Sequence, residues 1–411
     1  MKTETEILIV GGGVAGLSAA AAFAAAGRRV ICVDRASAEA GLNDSRTTAF
    51  LRPAVDLLTE AGVWPRVASE VASLDIMRLI DAGGRENKAR EIGDFNAAEI
   101  GAPPFGWNIP NAAMRRALGE SLAETPGARL THEAALETLT LRRDAAIARL
   151  STGETVRASL VIGADGRESR VRALAGISAR RWSYGQKALV FTVSHDEPHA
   201  NVSTEIHRTG GPFTLVPMPD GPDGPRSSVV WMERAAEAER LLSLPEDAFT
   251  EALNARALGV LGPLTLASRR AAWPIIGLLA ARLTAQRAAL VAEAAHVVPP
   301  IGAQGLNMSL GDIAALKAAL GEGEAGAPGA LAAYQRRWPE LAARVAGVDA
   351  LNRAAMAGAQ PFRDLRRLGL AGLIRARPAR HLAMRLGLGV GEARADERKE
   401  DRGETPRLRP R

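Results

Sequence analysis

The chain has 411 residues, of which 47% are hydrophobic, so it can hold two or three structural units around buried cores. Its one cysteine, Cys32, excludes a disulfide within the chain and fits a reducing cytoplasm. No uninterrupted apolar run of about 18 residues predicts a membrane span. Residues 363–411, with 14 Lys/Arg and 7 Asp/Glu, carry +7 while the whole chain carries +6, so the remaining residues are near neutral, and no basic face or motif predicts nucleic-acid binding.

The amino-terminal region predicts a dinucleotide site. A short apolar strand ending at Val10 leads directly into GGGVAG and an alanine-rich helix. Gly11 forms the turn, Gly13 lets the backbone approach a pyrophosphate, and Gly16 allows close helix–strand packing. A second predicted strand ends in Asp34, where an acid binds the hydroxyls of an adenosine ribose. This order of elements predicts bound FAD or NAD.

A second signal lies midway along the chain. The apolar run ASLVI predicts a strand that ends in GADGRESRVR. Asp165 and Gly166 follow this strand directly, at the edge where a doubly wound sheet places its ligands. The Asp-Gly pair alone would indicate a turn, but the neighbouring serine and arginines favour a functional role.

The following segment predicts a separate β-sheet. The runs ALVFTVSH, STEIHRT, FTLVPMP and SSVVWME are bounded by nearby Gly, Pro or Asp residues, as strands are. We expect them to form an antiparallel sheet over residues 181–267, joined by a short strand near Leu74 to Ile80. Phe213, Pro217 and Trp231 could face a substrate, although core packing is the better expectation for each.

A third motif, LVAEAAHVVPPIGAQGLNMSLGD, begins at Leu290. It predicts a buried strand, an acid at the strand end (Glu293), a Gly/Pro loop, and a helix beginning near Leu306. A helix start preceded by such a loop presents free backbone N–H groups to a polar cofactor. His296 is expected to pack or hydrogen-bond rather than act as a base.

The carboxyl-terminal region is predicted to be helical over residues 331–390 and a disordered basic tail over 391–411. Leucines, isoleucine and methionine alternate with arginines in LRRLGLAGLIRARPARHLAMRLGLGV. That pattern suits helices on an anionic membrane surface or on a protein partner. Helices that dock on the protein's own core would show the same pattern.

The three motifs together resemble those of the group A flavoprotein aromatic hydroxylases. Within that family the chain is most similar to the ubiquinone-biosynthesis hydroxylases. NDSRTTAF resembles their Asp-x-Arg motif, NIPNAAMRRAL their following helix, and HVVPPIGAQGLNMSLGD their late segment. The family usually has aspartate where this chain has Glu293, which retains the charge and reaches about one methylene farther.

The resemblance implies an α/β protein with a Rossmann-type FAD/NAD(P)-binding domain of the glutathione-reductase-like kind, an inserted antiparallel sheet and C-terminal helices. The FAD-binding domain would comprise residues 1–180 and 268–330, and the substrate domain residues 181–267. The implied reaction uses FAD, NADH or NADPH and O2, and hydroxylates a polyprenylated phenol through a flavin C4a-hydroperoxide. The implied location is the cytoplasm, peripheral to the inner membrane, with a quinone-biosynthesis complex as a further partner.

No residue of the chain is assigned as catalytic, because the flavin carries the chemistry, and the scattered histidines predict no metal site. The resemblance implies that the glycines and Asp34 hold the ADP half of FAD, and that Glu293 binds the ribityl oxygens. Asp165 would brace the phosphate loop. The full set of expected cofactor-binding residues is Gly11, Gly13, Gly16, Asp34, Arg35, Arg46, Asn111, Arg115, Asp165, Glu293, Gly305, Leu306 and Asn307.

Two other functions share these motifs. A relative of the geranylgeranyl reductases or flavin halogenases would reduce or chlorinate its substrate, although a halogenase-type Trp-x-Trp-x-Ile-Pro segment is absent from the sequence. A flavin-binding accessory subunit of a biosynthetic complex would bind FAD without turnover. Oxidation of NAD(P)H with and without a prenylated phenol separates these functions.

Overall fold

The computed structural model describes residues 2–42, 44, 46–101, 104–222 and 224–388. The predicted tail at 391–411 therefore lies outside the described residues, as do Asn43 and Ser45 of the NDSRTTAF motif.

The strands, in chain order, are β1 Lys2–Val10, β2 Val30–Val33, β3 Thr47–Leu51, β4 Ala72–Leu74, β5 Ile76–Asp81, β6 Glu91–Asn96, β7 Gly106–Pro110, β8 Ala128–Thr131, β9 Leu136–Leu141, β10 Ala146–Leu150, β11 Thr155–Gly163, β12 Ala179–His195, β13 Val202–His207, β14 Pro212–Gly221, β15 Gly224–Arg234, β16 Leu264–Leu266, β17 Ala271–Ala280, β18 Thr284–Ala285, β19 Ala288–Leu290 and β20 His296–Val297.

The α-helices are α1 Val14–Ala25, α2 Ala38–Leu42, α3 Arg52–Glu60, α4 Asn111–Glu124, α5 Arg170–Leu174, α6 Ala235–Ser243, α7 Glu246–Ala257, α8 Gln304–Leu320, α9 Pro328–Gln335, α10 Trp338–Ala355, α11 Gln360–Arg375 and α12 Arg377–Leu388. Short 3₁₀ turns span Trp64–Arg66, Ala68–Glu70, Ala97–Ile100 and Ala292–Ala294.

The first sheet is the predicted Rossmann-type layer, with strand order β18-β19-β11-β1-β2-β8. β1 pairs in parallel with β11 and β2, and β11 pairs in parallel with β19. β1 is an interior strand: Ile7, Leu8 and Ile9 have no exposed surface, as expected for a parallel strand in a sheet that helices cover. The carboxyl ends of these four strands therefore meet at one edge, which carries the three sequence motifs.

The second sheet contains all four predicted runs, as β12 to β15, and has the order β20-β17-β12-β15-β14-β13-β5-β6. The predicted short strand also joins it as β5, but it pairs with β13 in parallel, so the sheet is not wholly antiparallel. β17 and β20, from the segment expected in the FAD-binding domain, extend the sheet at its other side.

Two helices that the strand-rich pattern of residues 181–267 did not predict, α6 and α7, cover one face of this sheet. Phe213 and Trp231 lie in the resulting core, with ring centroids 5.6 Å apart, and Trp231 also contacts Phe249 of α7. Both side chains are buried, so the expectation that they pack in a core rather than face a substrate is confirmed.

A small third sheet, β3-β7-β4, and the C-terminal helices complete the fold. α10 is tied to the second sheet by Asp349, which accepts hydrogen bonds from Trp182 Nε1 (2.9 Å) and Tyr184 Oη (2.6 Å). α11 is tied to it by Arg366, whose guanidinium lies 3.1 Å from the buried Asp81 carboxylate. Among the described residues, no helix combines the length and the apolar character needed to cross a membrane.

Candidate functional site

The glycine loop after β1 packs against the loop after β11. A Cβ on Gly11, which has φ +111°, would lie 2.3 Å from the carbonyl oxygen of Ala164. A Cβ on Gly16 would lie 1.8 Å from the carbonyl oxygen of Gly11. Around Gly13, the N-cap of α1, a Cβ would meet nothing within 4 Å. The first turn of α1 therefore presents its unpaired N–H groups to open space, an arrangement that fits a pyrophosphate.

Asp34 follows β2 at the same edge and is accompanied by a cation. Its Oδ1 accepts a hydrogen bond from the N–H of Ala36 (3.1 Å), and Arg115 of α4 lies 3.7 Å from its Oδ2. A Cβ on Gly12 would lie 2.6 Å from that Oδ2, so only glycine leaves room for the carboxylate beside the loop. Arg115 is largely buried and Arg35 is exposed. The geometry fits a ribose next to the pyrophosphate.

A hydrogen-bonded group links the segment before β3 to the start of α4. Arg46 forms a two-point ion pair with Asp44 (2.7 and 2.8 Å), and the Asn111 amide donates to the same carboxylate at 3.1 Å. Thr48 donates to Asn111 Oδ1, which fixes the amide orientation. Burial raises the pKa of Asp44, but Arg46 and Asn111 outweigh it and hold that pKa below its usual value. Arg46 also lies over the half-exposed ring of Trp273, 5.2 Å from its centroid.

Asp165 uses its carboxylate to cap α5. It accepts hydrogen bonds from the Ser169 hydroxyl (2.5 Å) and from the N–H groups of Arg170 (2.6 Å) and Val171 (3.0 Å). Its Cα lies 2.8 Å from the position that a Cβ on Gly11 would occupy. Asp165 therefore braces the glycine loop through its backbone, while its side chain holds its own helix.

Glu293 lies in the 3₁₀ turn after β19 and is half-exposed. Its carboxylate is 3.4 Å from the Arg167 guanidinium. The pKa of Arg46 is raised, first by the hydrogen bond to Asp44 and further by the charges of Asp44 and Glu293. Glu293 and Arg46 therefore face a common region from two different loops.

Behind Glu293 lies a buried ion cluster that the sequence interpretation missed. Asp312 of α8 has no exposed surface, and its Oδ2 is 2.6 Å from His296 Nε2. The same carboxylate accepts hydrogen bonds from the N–H of Ala292 and from Arg337 Nε, each at 3.2 Å. Because Ala292 has φ +57°, which non-glycine residues rarely adopt, these bonds hold the turn in an unfavourable conformation. His296 is thus a hydrogen-bonding residue, as expected.

The helix α8 begins at Gln304, close to the predicted start. Gly305 is open on its Cα side, since a Cβ there would meet nothing within 4 Å. The side chain of Asn307 points to β3: it accepts from the N–H of Leu51 (2.8 Å) and donates to the carbonyls of Ala49 (2.8 Å) and Ala303 (2.7 Å). Asn307 therefore fixes β3 beside the helix start, while the partly buried Leu306 packs against the core.

These groups form two halves of one edge. Asp34, Arg115 and the open start of α1 lie at one half; Arg46, Glu293 and the start of α8 contribute to the other. The chemistry of this donor set fits a long, anionic dinucleotide with a polar ring system at its far end. Within the described part of the chain, no cluster of three or more His, Cys, Asp or Glu could hold a metal ion. Cys32 is buried, and burial raises the pKa of its thiol to about 12.

Residues 4–348 match the protein family described as "FAD binding domain". Ubiquinone hydroxylase UbiL of Rhodospirillum rubrum is 35% identical over 394 residues, which cover 94% of this chain and 90% of that protein. The 3-demethoxyubiquinol 3-hydroxylase of Escherichia coli is 30% identical over 401 residues, covering 94% and 99%.

Among solved structures, the fold is similar to that of PqsL, a probable FAD-dependent monooxygenase from Pseudomonas aeruginosa. The TM-score is 0.74 at 24% identity, over 89% of this chain and all of that one. The predicted FAD cofactor and fold class are thereby confirmed. The chain belongs to the FAD-binding-domain family of flavoprotein monooxygenases, among the hydroxylases of ubiquinone biosynthesis.

Proposed function

We propose that this FAD-dependent monooxygenase hydroxylates the aromatic ring of a polyprenylated phenol, with NAD(P)H as reductant and O2 as oxidant. The observation that carries the proposal is near full-length similarity to ubiquinone hydroxylases, together with a site open at both the ADP end and the flavin end. When bound, FAD supplies the electron transfer and the activation of oxygen. The chain's own residues bind and orient it.

At the ADP half, we assign the pyrophosphate to the N–H groups at the start of α1, which Gly13 leaves accessible. Gly11 and Gly16 act by close packing, because a side chain at either position would strike backbone atoms. The Asp34 carboxylate binds the ribose hydroxyls, and Arg115 holds that carboxylate in place from α4. Arg35, which is exposed beside it, borders the adenine side.

At the flavin half, Glu293 binds ribityl hydroxyls and Arg46 lies beside the cofactor, anchored by Asp44 and Asn111. The N–H groups of Gly305 and Leu306 face the ring system, where an unpaired helix start stabilises negative charge. Asn307 acts indirectly through β3. Asp165 supports the glycine loop from behind.

The second sheet, with residues 181–267 as its central part, covers the flavin and borders the substrate. One of its faces is occupied by α6 and α7, so the opposite face is the one available to a ring. A covered flavin excludes water from the reaction, which hydroxylating flavoproteins require. No acid or base of the chain is assigned to a chemical step.

The test measures NAD(P)H oxidation by the purified yellow protein with and without a prenylated phenol, and identifies the product by mass spectrometry. We expect substrate-stimulated oxidation and a product heavier by one oxygen. Bound FAD without turnover would instead support an accessory subunit, and a reduced or chlorinated product would support the other flavoenzyme classes.

Glu293→Ala tests the site. We expect it to lose FAD, whereas Glu168→Ala, which removes another exposed, arginine-paired glutamate, should retain it. A purified Glu293→Ala protein with full flavin absorbance would contradict the assignment.

A further inference from the structure

The last two described helices expose apolar side chains to an unusual degree. Five large hydrophobic residues of α11 and α12 are 60–65% exposed: Phe362, Leu365, Leu368, Leu382 and Leu386. We call these five the apolar patch. Scattered exposed leucines are ordinary on a soluble surface, but a group of this kind on neighbouring helices marks an interaction surface.

α11 has apolar residues on its outer side as well as on the side that packs against the protein. Its inner side combines ion pairs with apolar packing: Arg366 contacts the buried Asp81, and Asp364 pairs with Arg90 just before β6. Leu370 and Leu373 pack in the cluster that contains Phe95 of β6. Its outer side carries Phe362 and its leucine neighbours. The ion pairs and the packed leucines together fix which side of α11 faces the core, so the apolar patch faces outward.

The positive charges around the apolar patch favour a negatively charged binding partner. Residues 360–388 contain seven arginines and a single acidic residue, Asp364, which already has Arg90 as its partner. Arg375, Arg377 and Arg385 are exposed beside the patch. A second copy of the chain would bring equal positive charge against it. Residues 391–411 are highly charged and contain a single large apolar residue, a leucine, so they offer little apolar surface with which to bury the patch.

The patch is connected to the flavin half of the site. On the inner side of α12, Met384 packs in one cluster with Leu51 and Phe105. Leu51 is the residue whose N–H is held by Asn307 of α8. At the end of α12, the carbonyl of Gly387 accepts a hydrogen bond from Gln304, the first residue of α8, at 3.1 Å. α12 thus lies between the exposed patch and the loop at the start of α8.

We propose that α11 and α12 dock the protein on the surface of an anionic lipid bilayer, with the apolar patch inserted at the interface and the arginines facing lipid headgroups. Interfacial helices combine these two features: an apolar face and a basic rim. Docking places the flavin end next to the bilayer, so that a lipid-soluble phenol enters from the membrane rather than from water. This last step rests on the proposed function; the docking itself does not.

The docking is tested by flotation of the full-length, FAD-loaded protein with vesicles of phosphatidylcholine alone or mixed with phosphatidylglycerol. We expect binding to the anionic vesicles, weakened by salt and reduced at least tenfold in Phe362→Ser/Leu365→Ser/Leu368→Ser. Each exposed arginine changed to glutamine should weaken binding about fivefold. The matched control is Leu351→Ser on α10, which removes an equally exposed leucine (61%) and should bind as the unchanged protein does.

Flavin absorbance and melting temperature verify that each variant is folded. Equal vesicle binding by the patch variant and the Leu351→Ser control would overturn the proposal. So would a patch variant that changes the molecular mass in solution but not vesicle binding, since the patch would then contact protein.

A second measurement separates docking from function. Leu382→Ser/Leu386→Ser should slow turnover of a long-chain phenol embedded in vesicles and leave turnover of a short, water-soluble phenol unchanged. Equal slowing of both would overturn entry from the membrane. If the unchanged protein binds vesicles but hydroxylates neither phenol, the proposed function fails while the docking surface stands.

Discussion

The buried carboxylate of Asp312 provides a quantitative test of how the flavin-end turn is held. Replacement by asparagine keeps the volume and one acceptor for the Ala292 N–H, but removes the charge that both His296 and Arg337 face. Breaking a buried ion pair by removing one partner costs about 3–5 kcal/mol. Because Arg337 is 19% exposed and can recover some water, we expect the lower end, about 3 kcal/mol.

Glu340→Gln is the matched control, because Glu340 pairs with the same guanidinium at 3.5 Å but is 54% exposed. Exposed pairs contribute at most about 1 kcal/mol. The two variants should therefore differ by about 2 kcal/mol in the free energy of unfolding, measured by urea denaturation at a fixed FAD concentration.

The strained turn at Ala292 carries Glu293, so Asp312→Asn should also raise the dissociation constant for FAD about tenfold, the equivalent of ~1.4 kcal/mol. Titration of the apoprotein with FAD, followed by flavin fluorescence, measures it. Equal destabilisation by Asp312→Asn and Glu340→Gln, or unchanged FAD affinity in the former, would refute the reasoning.

Three further changes test other parts of the structure. Gly16→Ala should yield little folded protein, because its Cβ would strike a backbone carbonyl of the loop. Gly13→Ala should fold but bind FAD poorly. Equal yields and equal flavin content of the two variants would contradict this. Arg115→Ala should weaken FAD binding about fivefold by freeing Asp34, and an unchanged affinity in the same titration would remove Arg115 from the site. Burial raises the pKa of Glu233, so the folded protein favours the protonated carboxyl. This contribution to the stability of the fold is fully present below about pH 4.5 and is lost as the pH rises through the raised pKa. Glu233→Gln should therefore gain melting temperature relative to the unchanged protein as the pH rises to about 8; a pH-independent difference would contradict the burial effect.

The sequence predicted the parts of the site that depend on local chemistry. Gly11 was assigned to the turn and Gly16 to close helix–strand packing; Gly11 has φ +111° and a Cβ on Gly16 would strike the carbonyl of Gly11, while their contact with the cofactor stays a prediction. Asp34 was selected because it directly follows the second strand of the motif, and its binding to a ribose stays a prediction. The strand before Glu293 and the start of α8 were likewise within two residues of their predicted positions.

What the sequence missed depends on residues far apart in the chain. The pair of His296 and Asp312 has only an i, i+16 spacing, which no local pattern distinguishes, and its third member, Arg337, belongs to the C-terminal region. Asn307 was expected to offer its backbone N–H to the flavin, which stays a prediction; the bonds of its side chain to β3, some 250 positions earlier, were not anticipated. Side-chain contacts between distant segments produce no periodic pattern in the sequence from which they could be predicted.

The helices α6 and α7 were missed for a different reason. The whole segment 181–267 was assigned to a β-sheet because of its strand-like runs, and the helical stretch that follows the last of these runs was not recognised. The parallel pairing of β5 with β13 could not be predicted either, because the direction of a strand relative to a distant partner depends on the path of the chain and not on the composition of the strand.

The strand order of the first sheet has a consequence for biosynthesis. β1 leaves the ribosome long before its partner β11, which begins only at Thr155, and β19 and the start of α8 follow near residues 288 to 304. Until then, an apolar strand has an unpaired edge, which is the condition under which nascent chains aggregate. The cofactor's two anchoring halves come together only after the start of α8 has been made, nearly 300 residues after β1. Flavin insertion must therefore follow the synthesis of α8, and a shortage of FAD would leave the assembled sheet without the ligand that stabilises its central edge.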